Sequence, residues 1–273
     1  MKAEIEIEGH IYRFDMTRPI DISIPLQFDG PQPNAYGVPP AASEPCVSGS
    51  LIGDTRRGGS CNFEQYTFIP HCNGTHTECV GHITHERIAL RECLTDVLIP
   101  AWLLSVEPEI ATSNDLVITH AVLKNAIGRF QSTRSESEMN SIASGAPTAL
   151  ILRTIPNDES KLSRKYTSHV PPYFSTEAMD LIVECGFKHL LVDLPSIDRL
   201  YDEGKLINHR LFWGVEPGSF VTNGYTAVNN TITELIFVPN EVEDGAYFLN
   251  LQIAPFESDA SPSRPVLFRI EQN

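Results

Sequence analysis

A strand-rich α/β fold is predicted for this chain by three observations. Short apolar or alternating runs, each bounded by Pro, Gly or polar residues, recur from end to end, a pattern that marks strands rather than long helices. One amphipathic helical stretch, 176–185, leads within a few residues into such a run, which makes an α/β unit. With 273 residues, 41% of them hydrophobic, the chain is long enough to bury a sizeable core. No Gly/Ser-rich linker, repeat period or low-complexity tract divides it, so residues 1–273 are read as a single domain.

The elements follow in order. EIEIEGHIYRF at 4–14 alternates about Glu8 and Gly9 and predicts a β-hairpin. Strands are expected near 97–106, 148–154, 189–194, 232–238, 246–254 and 264–270. A helix near 118–130 is preceded by SND at 113–115, and its His120 is read as a surface or hydrogen-bonded residue. A second helix runs from Thr176 to Cys185, with Ser175 as N-cap and Gly186 as the stop. Ala178, Leu181, Ile182 and Cys185 recur there at helical spacing, which places Cys185 in the core.

Strand 189–194 completes the unit and puts PSIDRL at its carboxyl end, where open α/β sheets place ligands. A carboxylate within an apolar strand, as at Asp193, is costly unless paired. Asp193 and Asp198 are therefore read as orienting a loop or a ligand histidine rather than as ligands themselves. Loops 27–62 and 155–172 are long enough to cover a site or a subunit interface. Trp102, Trp213 and Phe63 could line an aromatic pocket, but isolated aromatics more often belong to the core. His169 and His189 match no motif.

Composition excludes several classes. A formal charge of −15 argues against a nucleic-acid partner, which would need a basic face, although it permits an anionic small substrate at a cation. Six scattered cysteines are too few for a disulfide scaffold and read as free thiols in a reducing compartment. MKAEIEIEG has no signal-peptide core, and VLIPAWLLSV at 97–106 is about half the ~20 residues of a membrane helix. A soluble, cytoplasmic protein without membrane contact is expected.

The densest chemistry lies in HCNGTHTECVGHITH, 71–85, which holds four of the nine histidines, two of the six cysteines and a glutamate. Imidazole, carboxylate and thiolate are the donors that zinc and similar ions take. His76 and Glu78, two apart, face one side of an extended segment. Gly74 is expected to allow a turn before them. His82, His85 and Glu86 read HxxHE, not the helical HExxH of zinc proteases, and the absence of any CxxC argues against a closed zinc ribbon. A serine nucleophile is disfavoured because there is no GxSxG elbow, and Ser196 beside Pro195 reads as a turn or cap.

GTHTECVGH resembles the GTHxDxPxH core of the metal-dependent cyclase-like hydrolases, which include arylformamidase (kynurenine formamidase) and isatin hydrolase. Other segments resemble that family in the same order: RPIDISIPL at 18–26, ALILRT at 149–154, LLVDLPSID at 190–198, INHRLF at 207–212, ITELIF at 232–237 and SPSRPVLF at 261–268. The resemblance implies an α/β architecture with a β-barrel-like core flanked by helices, assembled as a homodimer or larger homo-oligomer. It implies His76 and Glu78 as metal ligands and His82 as general acid/base. His209 and Glu234 complete the set, either as ligands of a second metal that Glu78 bridges or as groups behind the first.

Two departures from the family pattern stand out. Its first histidine falls at Cys72, so either His71 is presented by a one-residue bulge or the Cys72 thiolate takes the role, with His71 the preferred reading. Glu78 replaces an aspartate, and its longer reach suits one metal rather than a bridge between two. Val80 in place of the motif's proline removes a rigid φ and is a milder change.

The expected cofactor is a divalent metal, zinc first and manganese second. Such an ion acidifies water and polarises a carbonyl, while an imidazole titrating near neutrality carries protons. The implied reaction is hydrolysis of a small-molecule amide of the arylformamidase type. The alternatives are lactone hydrolysis or cyclisation on the same scaffold, and a non-catalytic small-molecule-binding homologue.

Overall fold

The computed structural model describes residues 1–7, 9–132, 148–168 and 170–271. Its centre is a mixed sheet whose middle strands, Leu98–Val106, Ala149–Thr154, His189–Val192 and Thr231–Glu234, pair in parallel. The first three are largely apolar runs because both faces are covered, while the fourth, TITE, carries only Ile232 as an apolar residue. Leu150 and Leu152 point into one apolar cluster with Ile118, Leu123, Met179 and Ile182. Ala149 and Ile151 point the other way, into a second cluster with Ile22, Ile236 and Leu249.

Beyond Leu98–Val106 the sheet continues antiparallel through Gly245–Asn250, Val266–Glu271 and the N-terminal hairpin. The hairpin strands Lys2–Ile7 and His10–Asp15 pair with Ile7 opposite His10, and Glu8 lies outside the described residues. Beyond Thr231–Glu234 the sheet ends with His76–Glu78 and Ala260–Pro262, both antiparallel to their neighbours. The expected mixed α/β, strand-rich class holds. Among the described residues the strands form an open path from the hairpin to Ala260–Pro262 and not a closed ring, so the barrel-like part of the expectation is not found.

The helix Thr176–Glu184 starts where Ser175 accepts a hydrogen bond from the Ala178 amide and stops before Gly186, whose φ of 77° is costly for other residues. Its buried residues are Ala178, Met179 and Ile182, and Cys185 is exposed. The expectation of a core Cys185 fails because the buried stripe runs one residue earlier and Cys185 caps the last turn. The other long helix, His120–Ser132, begins later than predicted. Residues Leu116–Ile118 form a short strand first, and Thr119 Oγ1 accepts from the Val122 amide at 3.2 Å to cap the helix. His169 lies outside the described residues.

Asp193 is wholly buried and is paired, as its place in an apolar strand requires. Lys161 Nζ lies 2.8 Å from it, and Thr154 donates to both of its oxygens. Trp213 and Trp102 are core residues, while Phe63 is half-buried. All six cysteines are free thiols. Among the described residues no helix is long and apolar enough to cross a membrane. The carboxyl ends of the parallel strands carry Glu234 and, in the loop after Val192, Asp198.

Candidate metal centre

Pro70 opens a single helical turn, Pro70–Asn73, that aims adjacent side chains in different directions. His71 turns into the polar cluster described next. Cys72 packs among Ile24, Ala35, Tyr166, Leu200 and Leu235, and burial, then the charge of Glu234, push its thiol up to about 11. The one-residue offset from the family pattern is thus met by His71. Gly74 does not provide the turn: its backbone is extended, with φ −178°. The helical turn before it does.

In the strand His76–Glu78, alternation puts His76 and Glu78 on one face, as predicted, while Thr77 faces back and hydrogen-bonds Thr233. The strand is clamped on both sides, with Glu234 opposite His76 on one neighbour and Ala260 opposite Glu78 on the other. His82 follows in the short helical turn Val80–Ile83, which brings it back over Glu78. His209 comes from the helix Ile207–Trp213.

Glu78 is the hub. Its Oε1 lies 3.0 Å from His209 Nε2, and its Oε2 lies 3.3 Å from His71 Nε2 and 3.7 Å from His82 Nδ1. One carboxylate therefore faces two groups of donors, His71 with His82 and His209 with Glu234, and within each group the candidate ligand atoms lie within 4.8 Å of one another. The longer reach of Glu78 does not confine it to one side. Glu234 Oε1 accepts from the Ile197 amide at 2.9 Å, and its Oε2 lies 3.6 Å from His76 Nε2. His76 thus meets Glu234 rather than Glu78.

All six predicted residues, His71, His76, Glu78, His82, His209 and Glu234, converge. His76 supplies the test of fit for a cation. Its Nδ1 faces the Gly74 carbonyl at 3.0 Å and donates to it, so in the neutral ring Nε2 is an acceptor. That nitrogen is buried without a hydrogen-bond partner, opposite a carboxylate that can only accept. A divalent cation suits such a pair, and two or three N/O donors with an open side are what a catalytic zinc requires.

Asp198 was expected to orient a loop or a ligand histidine, and it holds His209: its Oδ2 lies 2.6 Å from His209 Nδ1. It also accepts from the Asn208 and His209 amides, capping a helix whose own first residue offers no side-chain cap. Sequence reasoning missed Asp259, which lies 3.1 Å from His71 Nε2 and 3.5 Å from His82 Nδ1. Asp259 sits two residues before SPSRPVLF, the one available signal.

The electrostatics follow from these contacts. Burial opposes charge on Glu78, but His82, His209 and His71 outweigh it and hold the carboxyl well below its ordinary range. Burial likewise opposes charge on His209 and His71, yet Asp198 and Glu78 raise the first well above its ordinary value, and Asp259 with Glu78 raises the second to about 10. Without a metal both shifts favour the imidazolium form.

A raised imidazole adds stability that is complete below its unfolded value, roughly 6.5, and is lost as pH rises through the folded value. The chelator-treated protein is therefore expected to lose urea resistance between about pH 7 and pH 10, the upper limit set by His71, and metal uptake at pH 7 to release protons. Urea midpoints across that range and calorimetry in buffers of different ionisation enthalpy measure both; a flat profile and a proton-neutral uptake would contradict the assignment. Asp198→Asn is expected to weaken metal affinity about 10–100-fold by releasing the His209 ring. Metal titration measures this, and unchanged affinity would deny Asp198 that role.

Comparison with known proteins bears on the family and the fold. Residues 14–199 match the sequence family described as "Putative cyclase". Among solved structures, a predicted metal-dependent hydrolase from Bacillus stearothermophilus superposes with a TM-score of 0.54 at 16% identity, covering 92% of this chain and 98% of that one. Isatin hydrolase A from Labrenzia aggregata bound to benzyl benzoate gives 0.59 at 13% identity, covering 93% and 94%. An isatin hydrolase bound to the product analogue thioisatinate gives 0.56 at 12%, covering 93% of each chain. Among curated protein sequences none matches.

Proposed function

Because this chain belongs to the cyclase family, we propose that it is a metal-dependent hydrolase of a small-molecule amide, most like an arylformamidase acting on an N-formylkynurenine-type aryl formamide. The observation that carries this reading is the convergence of His71, His76, Glu78, His82, His209 and Glu234, with the buried His76 Nε2 left without a hydrogen-bond partner opposite the Glu234 carboxylate.

Zinc, or manganese in its place, would be held by donors drawn from His71, His76, Glu78, His209 and Glu234. When bound, the metal supplies a Lewis acid for the carbonyl and water acidic enough to attack near neutral pH.

The protein's own residues do the rest. His76, Glu78, His209 and Glu234 are buried and form the floor. His71 and His82 are partly exposed, and their rings stack at 4.5 Å, so substrate arrives on their side. The His82 imidazole takes a proton from the attacking water and returns it to the leaving nitrogen. Asp198 keeps the His209 ring fixed throughout.

A second reading, hydrolysis of a cyclic amide of the isatin type, uses the same groups and is favoured by the isatin hydrolases that share the fold. Assembly as a homodimer or larger homo-oligomer is proposed from the resemblance. The test begins with metal content by plasma mass spectrometry on protein purified without chelator or nickel, followed by a screen of an aryl formamide, N-formylkynurenine and isatin. One or two equivalents of zinc or manganese with turnover of one of these amides is expected. No bound metal, and none taken up on titration, would turn the reading to a non-catalytic binding homologue.

A further inference from the structure

Asp259 lies in the bend just before Ala260–Pro262, the strand at the outer edge of the sheet, yet its placement is tightly built. The Cys79 amide donates to its carbonyl at 3.0 Å, which ties the backbone of Asp259 to the residue just after Glu78. Its neighbour Ala260 pairs with Glu78. Oδ1 accepts from Ser258 Oγ at 3.2 Å, and Oδ2 faces the two imidazoles of the rim. Gly81, inside the motif, makes this close approach feasible: a Cβ there would stand 2.2 Å from the Ile88 carbonyl oxygen and 3.2 Å from Asp259 Cβ. The turn that carries His82 is therefore shaped to let Asp259 in.

Two acceptors compete for His82 Nδ1, Asp259 Oδ2 at 3.5 Å and Glu78 Oε2 at 3.7 Å. A cation held by Glu78 and His71 would remove Glu78 as an acceptor and His71 as a competing donor, leaving Oδ2 of Asp259 to face His82 alone. Contacts of this length in a ligand-free site shorten when the site closes on its ligand.

We propose that Asp259 is a positioning residue for His82: its carboxylate accepts the Nδ1 proton, fixes that tautomer and leaves Nε2 as the atom that moves protons to and from substrate. A carboxylate holding one ring nitrogen sets the tautomer and aim of the other. The inference rests on His82 being the acid/base.

Long-range proton–nitrogen spectra of the zinc-loaded protein read the His82 tautomer without any substrate. The wild type is expected to show His82 protonated at Nδ1, and Asp259→Ala to lose that preference while keeping its zinc. On an accepted amide, Asp259→Ala is expected to lower kcat about 10–100-fold with KM unchanged, and Asp259→Glu to restore most of it. Asp259→Asn keeps the shape of the side chain and is read in place of the alanine variant if the latter does not fold; a loss of kcat with full zinc is expected there too. Zinc lost along with kcat would make Asp259 a ligand and overturn the proposal, as would an unchanged tautomer. If the wild type turns over no amide at all, the hydrolase reading fails, and the tautomer alone still decides the role of Asp259.

Discussion

Glu78→Ala is expected to remove metal and turnover together, the largest effect of any single change in this chain. Both donor groups share this carboxylate, so its loss leaves His71 with His82 and His209 with Glu234 as two incomplete sets. Losing a bound metal forfeits several kcal/mol of transition-state stabilisation, so turnover should fall by about 10³-fold or more. The variant also leaves buried imidazolium groups without their partner, which endangers the fold. Glu78→Gln, of the same shape, separates the two consequences: circular dichroism should show the native fold while plasma mass spectrometry shows the metal gone. Full metal content and full turnover in Glu78→Gln would remove Glu78 from the centre.

His82→Ala should behave differently, with turnover falling about 10²–10⁴-fold, the usual weight of a general acid/base, while the metal stays. The ring is partly exposed at the rim, and its removal leaves His71, His76 and the floor carboxylates in place. Because its Nδ1 also lies within ligand distance of the His71 and Glu78 donors, the opposite result is informative. Metal lost in step with activity would make His82 a ligand and leave the proton-transfer role without a holder.

What the sequence revealed depended on how local the determining physics was. His76 and Glu78 were legible because strand alternation needs only adjacent residues. His209 and Glu234 lie far along the chain, and no spacing connects them to the motif. They were reached through the order of family-like segments. The choice between His71 and Cys72 could not be made by counting, since it turns on which side of one helical turn faces the apolar cluster around Tyr166.

Asp259 was missed because its relation to His82 is created by cross-strand pairing of Ala260 with Glu78, a tertiary fact. Cys185 misled because helical spacing was extended through a residue that already belongs to the cap. The central strands were legible as apolar runs. The open path of the sheet depends on which edges find partners, and apolar runs do not encode that.

Asp198 has a consequence for how this side of the protein assembles. One carboxylate holds both the first amides of the helix Ile207–Trp213 and the ring of His209. Unwinding of that helical turn and misdirection of the ring are therefore a single event. Anything that grips His209 from the other side therefore also holds the start of the helix, and order spreads from the chemistry into the scaffold.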